Sequence, residues 1–404
     1  MELGWDTILP YSSDIVPPDY HLFFALKHHM RDKTFANVDQ LRMEVRNFFD
    51  PRKAEFWKKG INDSPNLWAK IFSNNDADQH HPPGDIAAVQ YPLLGPYSSR
   101  DSAVIERHMT WLSSAGVDVI SVSWYPKGRA DPSGVPPDPL MPTLLNMTDK
   151  FKMKMNFHLE PYEGRSALSI RDDIHYILSN YGKHPAFYRT SPKADSDSAK
   201  NLPLFYVYDT YKIPAEEWQA ILTANGSFTI RQTEFDSLFI GLYVKKGDEL
   251  FLKSAGFDGL YTYFAAEGFS HGSTVANWPA LSTFCAKENL LFIPSVGPGY
   301  DDTAVRPWNS LNTRPREKGE YYKEHFKMAH TAKADIVSIT SFNEWHEGTQ
   351  IEPAVAFTDK NGTGTVYQPY DKSPKLYLEI TLEMIKTYFT PHHEYIPMQI
   401  ARVV

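Results

Sequence analysis

From about residue 117 onward, short apolar runs rich in β-branched and aromatic residues alternate with longer stretches whose apolar residues recur three and four positions apart. The first pattern predicts buried strands and the second predicts amphipathic helices. Strands without polar alternation that are separated by helices are typical of a parallel sheet covered on both faces. The seven predicted strands are Val117–Trp124, Lys154–Glu160, Leu204–Tyr208, Leu238–Leu242, Gly259–Tyr263, Leu291–Ser295 and Ile336–Phe342.

Helices are predicted between these strands, and seven βα units favour an eight-stranded α/β barrel, a (β/α)8 TIM-like fold, that lacks its first strand. The weaker extended run Ile86–Tyr91 is an option for the eighth strand. A doubly wound open sheet is the structural alternative. The clearest predicted helices are Ser102–Ala115, Ile170–Tyr181, Ala215–Leu222 and Tyr321–Lys333.

Residues 1–75 follow a different pattern, with amphipathic helical spacing and no strand alternation. Apolar residues from Val38 to Phe48 share one helical face, and Asp50-Pro51 resembles an N-cap followed by a first-turn proline. The predicted organisation is therefore a helical segment at 1–75, a linker at 76–84, a barrel at 85–392 and a tail at 393–404.

Composition narrows the classes of protein and site. The 404 residues carry a formal charge of −8, which argues against a nucleic-acid-binding role for the whole chain. The single cysteine, Cys285, excludes an intrachain disulfide or a site built from several cysteines. The sequence shows neither a signal peptide nor an apolar run long enough for a membrane anchor, so the expectation from the residues alone is a cytoplasmic protein.

The residues that close the predicted strands are polar and aromatic, and in α/β barrels the chemistry lies at that end of the strands. Glu344 and Glu347 stand three positions apart after the strand Ile336–Phe342. Hydrolysis of a glycosidic bond requires one carboxylic acid that protonates the departing oxygen and a second carboxylate that assists the attack. We therefore predict that Glu344 and Glu347 are catalytic, the alternative being two solvated loop glutamates.

Other classes of site find little support. His346-Glu347 could open a zinc-protease helix, but Gln350 stands where the second histidine is required. The pairs His80-His81 and His392-His393 lack a carboxylate at ligand spacing. No phosphate-binding loop, dinucleotide fingerprint or serine-hydrolase elbow occurs. We expect no metal and no cofactor.

Several long motifs, in the same order, resemble glycoside hydrolase family 99, the endo-α-1,2-mannosidases. The resemblance extends from about residue 80 to 390. The motifs are Tyr97-Ser98-Ser99-Arg100-Asp101, Ser123-Trp124-Tyr125-Pro126, the segments 157–162 and 294–300, and the segment 341–350, which includes Asn343-Glu344-Trp345-His346-Glu347.

The resemblance implies a (β/α)8 barrel that cleaves internal α-1,2-mannosidic bonds of glucosylated high-mannose N-glycans in the Golgi, with retained configuration and without a metal. It implies that Glu347 is the general acid/base, while Glu344 deprotonates the 2-hydroxyl, which then attacks C1 to form an anhydro-sugar. It also implies that the sugar is bound by Trp124, Glu160, Tyr263, Asn343 and His346.

The first 75 residues resemble the C-terminal end of a mariner-type transposase, through the segments 11–23, 33–35 and 56–61. In that family Asp19 would be the third metal-binding carboxylate. Its two partners would precede Met1, so two-metal strand transfer cannot be assembled from this chain.

This leader stands where family 99 members have a Tyr- and Trp-rich first barrel strand. We therefore expect two unpaired sheet edges, with impaired activity, unless residues 1–75 or Ile86–Tyr91 fill the gap. The alternatives to an active enzyme are a glycan-binding relic and a chimera with a DNA-binding leader. The expected partner is a high-mannose N-glycan or another mannosidic oligosaccharide, with no nucleic acid bound by the main domain.

Overall fold

The structure, a computed structural model, describes residues 82–131, 134–193, 201–360 and 364–389, together with the backbone of 398–403. The helices predicted within residues 1–75 lie outside these residues. The described strands are β1 (Tyr91–Pro92), β2 (Val119–Trp124), β3 (Lys154–Leu159), β4 (Arg189–Thr190), β5 (Leu202–Val207), β6 (Leu238–Leu242), β7 (Gly259–Tyr261), β8 (Leu291–Ile293), β9 (Ser295–Val296), β10 (Val337–Thr340), β11 (Ala354–Val355), β12 (Phe357–Thr358), β13 (Val366–Tyr367) and β14 (Met398–Val403).

Helices follow most of the barrel strands and cover the sheet from outside. The described helices are α1 (Ser102–Ser114), α2 (Met141–Lys150), α3 (Ala167–Tyr181), α4 (Ala215–Leu222), α5 (Asp248–Ala255), α6 (Trp278–Lys287), α7 (Glu320–Thr331) and α8 (Leu376–Tyr388). In α1, Ile105, Met109 and Leu112 are buried at helical spacing, so one face of the helix packs on the core. The side chain of Asp101 caps the start of α1 by accepting the N–H of Ala103.

The central sheet is a closed barrel. Its strands pair in the order β8-β7-β6-β5-β3-β2-β14-β10-β9. The two ends of this order, β8 and β9, are separated only by Pro294, so the sheet returns on itself and has eight strand positions. All of these pairs are parallel, including β2 with β3 and β9 with β10. The predicted (β/α)8 class is therefore confirmed, and the open doubly wound sheet is wrong.

Strand β14 occupies the position between β2 and β10. Its residue Ile400 lies opposite Ile339 of β10 and opposite Ile120 of β2. The segment 393–404, which we predicted to be a tail, thus contributes a barrel strand. The pairing with β2 shifts register between Ala401 and Val403, as at a β-bulge.

The run Ile86–Tyr91 does not enter the barrel, so its proposed use as an eighth strand is wrong. Only Tyr91 and Pro92 are extended there, and they pair antiparallel with Val355 and Ala354 of β11. This small ribbon lies apart from the parallel strands, because β1 and β11 form a separate two-stranded sheet.

Alternate residues of each barrel strand face opposite sides of the sheet. In β2, Ile120, Val122 and Trp124 belong to the large buried cluster that includes the apolar faces of the helices. Val119 of the same strand belongs to a second buried cluster with residues such as Leu204 and Ile240. The first cluster is the core between barrel and helices, and the second fills the barrel interior.

Candidate active site

The segment that follows β10 forms a compact turn that carries both predicted catalytic glutamates. Ser341 Oγ accepts the backbone N–H of Glu344 at 3.0 Å and contacts Thr349 Oγ1 at 2.8 Å. Trp345–Glu347 is a single 3₁₀ turn, and it ends at Gly348 in the left-handed region. The hydrogen bonds of Ser341 therefore close the loop at its base and present Glu344 and Glu347 at its tip.

Gly348 is required where this turn meets the loop after β9. Its φ is +60°, and a Cβ at this position would lie 2.6 Å from the carbonyl oxygen of Asp301. The N–H of Asp301 donates to the carbonyl of Glu347 at 2.9 Å. The loop after β9 is thereby held directly against Glu347.

Arg306 is the cation next to Glu347. Its Nη1 lies 3.8 Å from Glu347 Oε1 and 3.0 Å from Asp302 Oδ2. Burial opposes the charge of Arg306, but the attraction of Glu347 and the hydrogen bond to Asp302 outweigh it, so the pKa of Arg306 is raised. The guanidinium is thus a fixed positive charge beside a half-buried carboxylate.

Asp302 holds this cation in place. Its side chain is fully buried and also accepts the hydroxyl of Tyr300 at 2.9 Å and the amide of Asn309 at 2.9 Å. The pKa of Tyr300 is raised by burial and then by the charges of Glu347 and Asp302. Neither Arg306 nor Asp302 was predicted from the sequence, although the acidic pair Asp301-Asp302 directly follows the motif 294–300.

Glu160 lies at the end of β3 and is almost fully buried. It accepts the hydroxyl of Ser123 at 2.7 Å and lies 2.8 Å from Nδ1 of His158. Nε2 of His158 lies 2.8 Å from the hydroxyl of Tyr261. Because a carboxylate only accepts, His158 donates to Glu160 through Nδ1. The hydrogen bonds of Ser123 and His158 hold the Glu160 carboxylate on the inner face of the barrel.

Tyr263 follows β7 with a left-handed φ of 53°, and its N–H donates to Ser295 Oγ at 2.8 Å. Its ring packs edge-to-face on Tyr208 at 5.0 Å and lies 5.7 Å from the ring of His158. The pKa of Tyr208 is raised by burial and by several charges, Glu347 among them. Tyr263, Tyr208, His158 and Glu347 therefore belong to one electrostatic neighbourhood.

Asn343 precedes Glu344, His346 lies between the two glutamates, and both residues are anchored to the segment before α1. The amide of Asn343 reaches the hydroxyl of Tyr97 at 3.5 Å. Nδ1 of His346 donates to the carbonyl of Ala87 at 2.9 Å, and the residue is exposed. Both residues share the loop of Glu344 and Glu347, and their binding of sugar, which the family resemblance implies, stays a prediction.

Trp124 is not in this neighbourhood, which corrects its predicted place in a sugar subsite. Its indole is 1% exposed, packs on Phe157 and Tyr176, and donates to Asp138 Oδ1 at 3.0 Å. The physical reason is the alternation of β2, which turns Trp124 toward the helices while Ser123 faces Glu160 inside the barrel.

Within residues 82–131, 134–193, 201–360 and 364–389, no three histidine, cysteine or carboxylate side chains are grouped so that they could hold a metal ion. In the same part of the chain, no helix has the length and apolar character needed to cross a membrane.

Comparisons with known proteins agree with this architecture. The model of glycosyl hydrolase family 99 matches residues 49–390. A glycoprotein endo-alpha-1,2-mannosidase-like protein of Danio rerio is 49% identical over 318 residues, which cover 78% of this chain and 70% of the relative. The solved family 99 endo-alpha-mannosidase of Bacteroides thetaiotaomicron is 42% identical, with a TM-score of 0.68 and coverage of 75% of this chain and 85% of that one.

A second similarity concerns the first part of the chain. The Mariner Mos1 transposase of Drosophila mauritiana is 30% identical over 76 residues, or 18% of this chain and 22% of the transposase. The match falls in the N-terminal part, as the sequence motifs predicted. The extent of the family model and the identity of the relatives show that the chain, a glycoside hydrolase, belongs to glycosyl hydrolase family 99.

Proposed function

We propose that this protein is an endo-acting α-mannosidase that cleaves internal α-1,2-mannosidic bonds of glucosylated high-mannose N-glycans. The observation that carries the proposal is the turn that presents Glu344 and Glu347 together, with Arg306 3.8 Å from Glu347, in a family 99 barrel. The relatives include a glycoprotein endo-alpha-1,2-mannosidase-like protein and an endo-alpha-mannosidase, which supports an endo-acting α-mannosidase activity here. N-glycans of this kind are trimmed in the Golgi, which is the compartment we propose for the reaction.

The proposed first step uses both carboxyl groups at once. Glu344 removes the proton of the mannose 2-hydroxyl, whose oxygen attacks C1. The bond from C1 to the leaving oxygen breaks, and protonated Glu347 gives its proton to that oxygen. The products are the shortened glycan and a 1,2-anhydro-sugar, so no covalent bond to the protein forms.

The second step reverses the proton transfers. Glu347, now ionised, takes a proton from water, and the water oxygen attacks C1. The C1–O2 bond of the anhydro ring opens, and Glu344 returns its proton to O2. Two inversions at C1 give net retention. Glu347 must alternate between acid and base. Arg306 favours the ionised form of Glu347, and this is the form in which Glu347 begins the second step.

The proposed binding groups surround these carboxyls. Asn343 and His346 lie on the same loop, while Glu160 and Tyr263 come from the ends of β3 and β7. The fixed geometry of Glu160, with Ser123 and His158 as partners, supports a role in accepting hydrogen bonds from sugar hydroxyls.

The proposal is tested with the full chain and a glucosylated high-mannose glycan labelled at its reducing end. We expect release of a glucosyl-mannose disaccharide, and NMR should show that its anomeric configuration is retained. Glu347→Gln and Glu344→Gln should each lower kcat at least about 10²-fold, the usual size of a lost acid/base contribution. Glu324→Gln, a change at an exposed glutamate of α7, is the matched control.

Two results would overturn the proposal. Turnover by Glu347→Gln at the wild-type rate would remove this residue from the reaction. Binding of the disaccharide by calorimetry, without any turnover by the wild-type chain, would instead identify a glycan-binding relic of the family.

A further inference from the structure

Glu352 is a buried carboxylate that the proposed reaction does not use. Its side chain is fully buried. Oε2 accepts the hydroxyl of Tyr97 at 2.5 Å and the indole N–H of Trp345 at 2.9 Å. Oε1 lies 3.2 Å from Nε2 of His108. An ionised carboxylate taken out of water is costly unless such donors surround it, so each of these contacts matters to its neighbours.

The three donors come from separate parts of the fold. His108 is on α1, Tyr97 lies in the loop before that helix, and Trp345 follows Glu344 directly. The backbone of Glu352 is itself fixed, because its N–H donates to the carbonyl of Phe342 at 2.9 Å. Its own carbonyl accepts the hydroxyl of Tyr370 at 2.9 Å.

Ring packing also fixes the residues that bind Glu352. The ring of His108 meets the edges of Tyr97 at 5.0 Å and Phe342 at 4.9 Å, and it stacks on Trp111 at 5.9 Å. Phe342 is the last residue before the loop of the catalytic glutamates and is fully buried. Burial and the negative charge of Glu352 raise the pKa of Tyr97, which keeps this hydroxyl a donor to Glu352.

The network touches both sides of Glu344. Glu352 binds the indole of Trp345 directly, and it binds Tyr97, whose hydroxyl contacts Asn343 at 3.5 Å. Asn343 and Trp345 are the residues immediately before and after Glu344. A single fixed carboxylate thus constrains the segment from which Glu344 projects.

We propose that Glu352 is a positioning residue that sets the orientation of Glu344 through Trp345 and Tyr97. This inference rests on the proposed function for its kinetic consequence. A misplacement of a reacting group by about 1 Å can cost about 10²-fold in rate. The effect should appear mainly in kcat, because the network holds the residues on both sides of Glu344, while two of the proposed binding residues, Glu160 and Tyr263, lie outside it.

The sharpest variant is Trp345→Phe, which keeps the ring and removes only the N–H that Glu352 accepts. We expect kcat to fall about 10²-fold with KM little changed. Glu352→Gln should cause a similar loss, and the double variant should lose little more than either single one, because both changes break the same contact. Trp308→Phe, at a tryptophan that is 69% exposed, is the matched control and should leave kcat unchanged.

A second measurement separates this inference from the proposed function. Hydrogen–deuterium exchange of the peptide covering 342–351 should be faster in folded Trp345→Phe than in the wild type, whether or not the chain turns over glycan. Absence of wild-type turnover would refute the proposed function, and the exchange rates would still decide the role of Glu352. Wild-type kcat and wild-type exchange in Trp345→Phe would together overturn the positioning role.

Discussion

The guanidinium of Arg306 bridges two carboxylates, with Nη1 3.0 Å from Asp302 Oδ2 and 3.8 Å from Glu347 Oε1. The longer distance exceeds a hydrogen bond, so Arg306 acts on Glu347 through its charge. Asp302 is fully buried and held by two further donors, so this charge has a fixed position. The protonation of Glu347, the proposed acid/base, therefore depends on Arg306 and Asp302, which lie outside the turn that carries Glu344 and Glu347.

Arg306→Gln should move the alkaline limb of the kcat/KM profile to higher pH. Glu347 and Arg306 stabilise each other's charged forms, as the raised pKa of Arg306 indicates. Without the cation, the pKa of Glu347 rises, and its protonated form, which the first step requires, persists to higher pH. A neighbouring cation lowers a carboxyl pKa by about 1–3 units, so a shift of about one unit is expected. Rates measured across the acid and neutral range would show it.

Arg306→Lys is the control for this prediction. It keeps a positive charge near Glu347, so the alkaline limb should stay close to its wild-type position. An unmoved limb in Arg306→Gln would contradict the proposed coupling.

Trp124→Phe should lower stability without changing the binding of glycan. The indole N–H donates to Asp138, which also accepts the hydroxyls of Tyr176 and Tyr181. Loss of one donor to this buried carboxylate should reduce the free energy of unfolding by about 1–3 kcal/mol. Denaturant unfolding and steady-state kinetics on the same preparation measure both quantities.

Ser123→Ala offers the opposite pattern on the same strand. Ser123 faces Glu160, so its removal should alter KM more than stability. An increased KM in Trp124→Phe with unchanged unfolding would instead restore Trp124 to a sugar subsite.

Ile400→Pro should disrupt the barrel at strand β14. Ile400 lies between Ile339 and Ile120, and proline removes a backbone donor in the middle of a sheet. We expect a loss of about 3 kcal/mol in the free energy of unfolding, comparable to the cost of proline inside a helix. Ile400→Val keeps the donor and serves as the control. If Ile400→Pro unfolded at the same denaturant concentration as the wild type, the assignment of residues 398–403 to a barrel strand would be contradicted.

Local patterns predicted most of the fold. The strand Leu238–Leu242 and the helix Ala215–Leu222 have the predicted bounds. A continuous apolar run and a regular amphipathic stretch are each clear in the local sequence. The helix α3 begins at Ala167 rather than Ile170, since Ser166 and Ser169 form a capping box that the apolar spacing does not reveal. Strand β14 was missed because Gln399 and Arg402 interrupt its apolar pattern, and its place depends on pairing with distant strands.

In the candidate site, too, some residues could be predicted from local sequence and others could not. Glu344 and Glu347 were predicted because their spacing and their position after a strand are local features. The importance of Arg306 and Glu352 depends on burial and on partners far along the chain, which no local pattern encodes. The side of the sheet that Trp124 faces depends on which residues of β2 point inward and which point outward. The position of Trp124 at the end of the strand does not predict this.

The position of β14 also sets the order in which the protein can fold. A chain emerges from the ribosome from its N-terminus, so β2 and β10 are both available before residues 398–403 have been made. Until then β2 and β10 each lack the parallel neighbour that the finished barrel gives them. Closure of the ring is therefore a long-range event that follows the synthesis of β10, and until then the unpaired edges of β2 and β10 can pair with other chains.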